Sequence, residues 1–126
     1  MKLDVAAFAG PCECGRVHDL AVRDIWIEPG ALSRLPGLVQ AWERPAMICD
    51  QNTYEAAGRQ VEALLPGLAV ICLNPEGLHA DERAVAEVER SLTPKVQVLL
   101  AVGSGTVHDA TRYVAHARGR SEERRV

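Results

Sequence analysis

The sequence predicts an α/β fold, a parallel sheet covered by helices on both faces, and three observations carry that prediction. Short apolar runs end abruptly at polar or turn residues. Stretches of ten or more residues with helical periodicity separate them. A small-residue turn then joins the last apolar run directly to a helix. Strands buried on both faces read as continuous apolar runs, and crossovers long enough for a helix connect parallel neighbours.

The elements follow in order. Asp24 to Glu28 alternates apolar and polar residues, as a strand does, and Pro29-Gly30 turns the chain. Ala31 to Trp42 is helical in pattern but broken by Pro36-Gly37. It predicts two short helical pieces, with Pro36 near the first turn of the second. Ala46 to Cys49 is a buried strand ending at Asp50. Asn52 is placed as the N-cap of the next helix, with Glu55 three residues on. Ala57, Val61, Leu64 and Leu65 form the stripe of that helix, and Pro66-Gly67 stops it.

Leu68 to Leu73 is the second buried strand, closed by Asn74-Pro75. Ala80 to Leu92 is amphipathic, with Val85, Val88 and Leu92 on one face and Asp81 and Glu82 in its first turn, where the helix dipole favours acids. Val96 to Val102 is the third strand. The final helix places Val107, Ala110, Thr111 and Val114 on one face. Residues 1–119 form one domain in this scheme, and the charged stretch 120–126 is a disordered tail.

Composition narrows the function classes. The chain has 126 residues, enough for one domain, and 48% of them are hydrophobic. A net charge of −3 lacks the basic excess of a nucleic-acid binder. No apolar run approaches the ~20 residues of a membrane span, and the N-terminus lacks the apolar stretch of a signal peptide. A cytoplasmic protein is expected. The four cysteines, Cys12, Cys14, Cys49 and Cys72, do not form the pattern of a disulfide scaffold, and the last two are expected to be buried.

The sharpest motif is Val98 to Asp109, VLLAVGSGTVHD. In open parallel sheets ligands bind beyond the carboxyl ends of the strands. Gly103 and Gly105 let the backbone approach a phosphate, the helix start offers free N–H groups, and Thr106 adds a hydroxyl. The third glycine of the common dinucleotide fingerprint would fall at His108, so that pattern is not met, and no Walker lysine follows. The same turn also suits an α/β domain that binds nothing. Asp50 ends a buried strand on the same rim, where its carboxylate can take both ribose hydroxyls and repel a 2′-phosphate. Taken alone, it reads first as a cap of the following helix or of a turn.

IEPGALSRLP, ICDQNTYEAAG, HADERAVAEV and AVGSGTVHDATRYVAH occur in this order over residues 24–119. Together they resemble the bacterial sn-glycerol-1-phosphate dehydrogenases, within the wider group of iron-containing alcohol dehydrogenases, glycerol dehydrogenases and dehydroquinate synthases. The resemblance implies a Rossmann-like domain that binds NAD or NADP, joined in full-length members to a helical domain holding a divalent metal (zinc, nickel or iron). The substrate pair it implies is sn-glycerol 1-phosphate and dihydroxyacetone phosphate. By motif position Asp50 would hold the adenosine ribose. Gly103, Ser104, Gly105, Thr106 and Val107 would hold the pyrophosphate, and Asp109 would lie toward the nicotinamide.

The family pattern stops after Gly119, so the metal-binding helical domain is expected to be absent and the chain to be a truncated or frame-shifted form, inactive alone. The face that domain would cover is expected to drive homo-oligomer formation. Two alternatives stand beside this reading: a glycerol dehydrogenase or dehydroquinate synthase relative, and a non-catalytic nucleotide-binding module. Cys12, Cys14 and His18 are candidate soft-metal ligands, one short of a structural zinc set. His79, His108, His116, Arg16, Arg23, Arg112, Trp26 and Trp42 are taken as surface, capping or packing residues.

Overall fold

A computed structural model describes residues 1–118 apart from 12, 16, 19–21 and 23. The charged tail expected at 120–126 lies outside the described residues, as do Cys12, Arg16 and Arg23. The N-terminal part is built from two-residue ladders. β1 (Lys2–Leu3) precedes a 3-10 turn at Val5–Phe8, followed by β2 (Gly10–Pro11), β3 (Val17–His18) and β4 (Ile25–Trp26). β1 pairs antiparallel with β4, and β2 with β3. The strand expected over 24–28 is therefore only Ile25–Trp26, and it belongs to this small ladder rather than to the parallel sheet.

The segment after Gly30 forms two short pieces, a 3-10 turn at Ala31–Arg34 and α1 (Leu35–Val39), with Pro36 in its first turn. Pro is tolerated there because its missing N–H has no intrahelical partner anyway. β5 (Pro45–Asp50) follows, then α2 (Gln51–Thr53), a π-helical turn at Tyr54–Gly58 and α3 (Arg59–Leu64), all in one continuous run. β6 (Ala69–Leu73), α4 (Glu82–Ser91), β7 (Val98–Val102) and α5 (Gly105–Ala117) complete the chain.

The parallel sheet has the order β6-β5-β7. Its central strand explains its own sequence: Ala46 through Asp50 are all buried, since β5 has neighbours on both edges and helices on both faces. β6, at an edge, alternates instead, with Ile71 and Leu73 buried and Ala69 and Cys72 exposed. Alternate residues of the strands feed two cores. Ala46, Ile48, Leu73 and Leu99 pack with Val88 of α4 and Val107 and Val114 of α5. Met47, Cys49, Val98 and Leu100 pack with Leu35 and Val39 of α1 and Val61 of α3.

The two cores follow from topology. The chain leaves β5 toward β6 in one lateral direction and returns across β5 to β7 in the other. Right-handed crossovers made in opposite directions place their helices on opposite faces. The point where the direction reverses lies between β5 and β7, and its carboxyl end is where open α/β sheets leave a crevice.

Two sequence expectations need correction. Cys72 is exposed, because β6 is an edge strand in this order. Cys49, its register partner, is fully buried, and its thiol lies 3.8 Å from the Ile71 carbonyl. Burial first, and then the adjacent Cys72 thiol, push the Cys49 pKa from 9.0 up to about 12. A thiol raised in this way stabilises the fold fully below pH 9.0, and that contribution is lost as pH climbs toward 12. Iodoacetamide at pH 8 is therefore expected to alkylate Cys72 in the folded chain and to spare Cys49 until denaturant is added. Between pH 9 and 11 the urea midpoint should fall, and fall less in a Cys49→Ala variant. Equal labelling of the two thiols would contradict the packing described.

The second correction concerns the helix cap. Asn52 is exposed and caps nothing among the described residues; Asp50 is the N-cap. The strand runs into the helix without a loop, so its last residue already has the extended backbone (φ −111°, ψ 177°) that a cap requires.

Candidate functional site

Asp50 stands at the carboxyl end of the central strand and is buried to 7% exposure. Its Oδ1 accepts the Thr53 N–H at 2.8 Å. The Thr53 hydroxyl oxygen in turn accepts the Asp50 N–H at 3.0 Å and lies 3.3 Å from the Asp50 carbonyl. This is a reciprocal capping box with Thr53 in the position usually held by Glu or Gln. The cap uses one carboxylate oxygen. Among the described residues Asp50 Oδ2 has no hydrogen-bond partner, and it is not among the fully enclosed unpaired atoms.

The glycine turn lies beside it. Cys49 of β5 is in register with Val102 of β7, so the next pair outward brings Asp50 opposite Gly103. A Cβ placed on Gly103 would meet Val107 Cγ2 at 2.8 Å, Val107 Cβ at 2.9 Å and Thr53 Oγ1 at 3.3 Å. Glycine is thus required at this position by close packing between the strand end and the first turn of α5. Gly105 differs. A Cβ there would meet nothing within 4 Å, and its backbone does not lie in the left-handed region. Neither packing nor backbone geometry within the protein calls for glycine at 105.

Ser104 is the N-cap of α5 and makes no side-chain capping bond. The first intrahelical N–H at this end belongs to His108, which donates to the Ser104 carbonyl at 3.1 Å. The N–H groups of Gly105, Thr106 and Val107 come before it and are the orphan donors of a helix start. They carry the positive end of the helix dipole toward the rim. Ser104 and Gly105 are exposed and Thr106 is half-buried. Val107 is fully buried, so it can offer a ligand only its backbone. Asp109 is exposed one turn further along α5.

The structure therefore brings together the acid and the glycine turn that the sequence singled out, and adds Thr53, which the sequence reading passed over. Its signal was present: an acid ending a buried strand, followed three residues later by a hydroxyl residue, is a capping-box spacing. Of the candidate set Cys12, Cys14 and His18, Cys12 and the His18 side chain lie outside the described residues, and Cys14 is exposed. Among the described residues no three acidic, thiol or imidazole groups converge as a metal centre. His79, His108, His116 and Arg112 are exposed. No helix among the described residues is long and apolar enough to cross a membrane.

A concavity of about 750 Å³ lies elsewhere, lined by Trp26, Glu28, Ser33, Arg34 and Leu38 among others. The cation among its described lining residues is already engaged: Arg34 stacks 3.7 Å from the Trp26 ring centroid and pairs with Glu28 at 2.6 Å. Arg34 and the terminal amine hold the Glu28 carboxyl below its usual pKa. None of the rim residues lines this concavity, and the rim remains the candidate site.

The acid and the orphaned helix start thus lie on the rim where open α/β sheets leave a crevice at the strand reversal. The sequence pattern of the iron-containing alcohol dehydrogenases matches residues 26–121, and the chain belongs to that family. Among its relatives is the glycerol-1-phosphate dehydrogenase [NAD(P)+] of Bacillus velezensis, 37% identical over 109 residues, covering 79% of this chain and 28% of that protein. The enzyme of the same name from Geobacillus stearothermophilus is 31% identical over 123 residues, covering 90% of this chain and 30% of that one. The chain thus spans about 30% of the length of these relatives. The crystal structure of glycerol dehydrogenase from Schizosaccharomyces pombe superposes with a TM-score of 0.61 at 23% identity, over 71% of this chain and 24% of that one, and shares the fold.

Proposed function

We propose that this chain binds a nicotinamide dinucleotide across the β5/β7 rim and forms the cofactor-holding part of an oxidoreductase acting on sn-glycerol 1-phosphate and dihydroxyacetone phosphate. One observation carries the reading: Asp50 and Gly103 each follow the last register pair, Cys49 and Val102, on neighbouring strands at the reversal point of the sheet. The names of the relatives, which specify NAD(P)+ and glycerol 1-phosphate, support the choice of cofactor and substrate class.

The residues fit such a ligand in detail. The N–H groups of Gly105, Thr106 and Val107 are directed at the rim as a pyrophosphate cradle, and the open space at Gly105 leaves room for phosphate oxygens. Asp50 Oδ2 is left over from the cap to accept from the adenosine ribose. Ser104, with no capping duty, can turn its hydroxyl to the ligand. Asp109 is exposed beyond the cradle, and by its position in the motif it would lie toward the nicotinamide. When bound, the nicotinamide exchanges a hydride with the substrate carbon, and these residues hold and orient it. The described residues supply no metal centre, so no step is assigned to one.

Titration calorimetry of the folded chain with NAD+ and NADP+ tests the proposal. Saturable binding at one site per chain is expected, with NADP+ the weaker ligand because the Asp50 carboxylate repels a 2′-phosphate. Absence of heat with either dinucleotide, from a chain that melts cooperatively, would remove the cofactor reading.

A further inference from the structure

Asp50 has two duties on the proposed reading, a cap and a ribose contact, and nothing in its own side chain divides them. The division comes from its partner. The Thr53 N–H takes Oδ1 at 2.8 Å, while the Thr53 hydroxyl oxygen accepts the Asp50 N–H at 3.0 Å and lies 3.3 Å from the Asp50 carbonyl. Three contacts from one residue thus fix the Asp50 backbone and one carboxylate oxygen, and they leave Oδ2 as the oxygen available to a ligand.

The same hydroxyl also faces the other half of the rim. It lies 3.3 Å from the position a Cβ on Gly103 would occupy, so it fills the space between the end of β5 and the glycine turn. Thr53 is half-buried, in the same ICDQNTYEAAG stretch that carries Asp50.

We propose that Thr53 is a positioning residue of the nucleotide site: its hydroxyl holds the Asp50 backbone and its backbone N–H takes Oδ1, so that Oδ2 is aimed at the ribose. This rests on the rim being a dinucleotide site. Thr53 acts through Asp50, so its contribution to binding should vanish when Asp50 is gone.

The test is a double-mutant cycle of T53V and D50A, with T53S as the conservative variant. Kd for NAD+ is measured by calorimetry and Tm by thermal melting. T53V keeps the Thr53 backbone N–H and the side-chain volume but removes the acceptor for the Asp50 N–H. It is expected to weaken NAD+ binding by about tenfold, the scale of one misdirected hydrogen bond to a charged group. T53S should restore binding to within about twofold, and T53V should add no further loss in the D50A background. T53A carries the same expectation as T53V in case the valine melts without cooperativity. A Thr53 that only supports the fold would lower Tm in all backgrounds and cost binding equally with and without Asp50, and that result overturns the proposal. If wild type binds NAD+ and D50A weakens it while T53V does not, only the role of Thr53 falls. If wild type binds no dinucleotide, the site reading falls and this inference with it.

Discussion

Alanine at Gly103 is expected to cost about 1–3 kcal/mol of stability, the usual penalty for overpacking a tight contact. Alanine at Gly105 should leave stability unchanged or raise it by up to about 1 kcal/mol. The two residues sit two positions apart in one motif, and the difference is steric. A Cβ on Gly103 would press to 2.8 and 2.9 Å on Val107, a stiff, fully buried side chain at the start of α5 that cannot move aside without disturbing the core of Val88, Leu99 and Val114. A Cβ on Gly105 enters empty space. Binding should show the reverse selectivity. Gly105→Ala places a methyl where phosphate oxygens are proposed to sit and is expected to weaken NAD+ by more than about tenfold, as an added group in a close-fitting contact does. Urea denaturation and calorimetry on the two variants read both quantities. A Gly105→Ala chain that binds NAD+ like wild type would show that this turn holds no phosphate.

Asp50 should separate into its two duties under substitution. Asp50→Ala removes the N-cap, worth about 1 kcal/mol, and with it the proposed ribose contact. Loss of a hydrogen bond from a charged acceptor is worth roughly 1.5–3 kcal/mol, so NAD+ affinity should drop by about 10–100-fold. Asp50→Asn keeps a capping oxygen and should remain within a few tenths of a kcal/mol of wild type in stability. It removes the charge, however, so the preference for NAD+ over NADP+ should narrow. An Asp50→Asn variant whose ratio of NAD+ to NADP+ affinity is unchanged would place the ribose elsewhere.

The parallel sheet was legible because its strands advertise burial. AMIC at the centre is apolar without alternation, and VLLAV runs into glycine at the point where the helix begins. The broken helical pattern at Pro36 and the acids ahead of α4 were legible for equally local reasons, a fixed φ and a helix dipole. Both Asn52 and Asp50 read as caps in the sequence, and Asp50 takes the position because the chain does not make the short loop that a cap at Asn52 needs. The π-helical turn at Tyr54–Gly58 has no periodicity of its own to betray it. Cys72 was expected inside because LAVICL looks like a central strand, and only the order β6-β5-β7 reveals that it forms an edge. The spacing of Thr53 from Asp50 is local and readable, whereas its approach to residue 103 is contained in no local pattern.

The register of β5 also bears on the order in which the rim is assembled. Ala46 pairs with Ala69 on one side, whereas Pro45 pairs with Val98 on the other, so the two edges of one strand close loops of very different length. Loop-closure entropy favours the shorter loop, and a growing chain makes its residues available sooner. The Asp50 cap can therefore be in place while the glycine turn is still unmade, and the rim becomes whole only when β7 docks. A ligand that needs both halves would bind only chains that have finished folding, and would raise their stability by mass action as its concentration exceeds its Kd. In a cell, the dinucleotide pool would then act on this chain as a selective stabiliser of its completed sheet, favouring its survival over that of half-assembled copies.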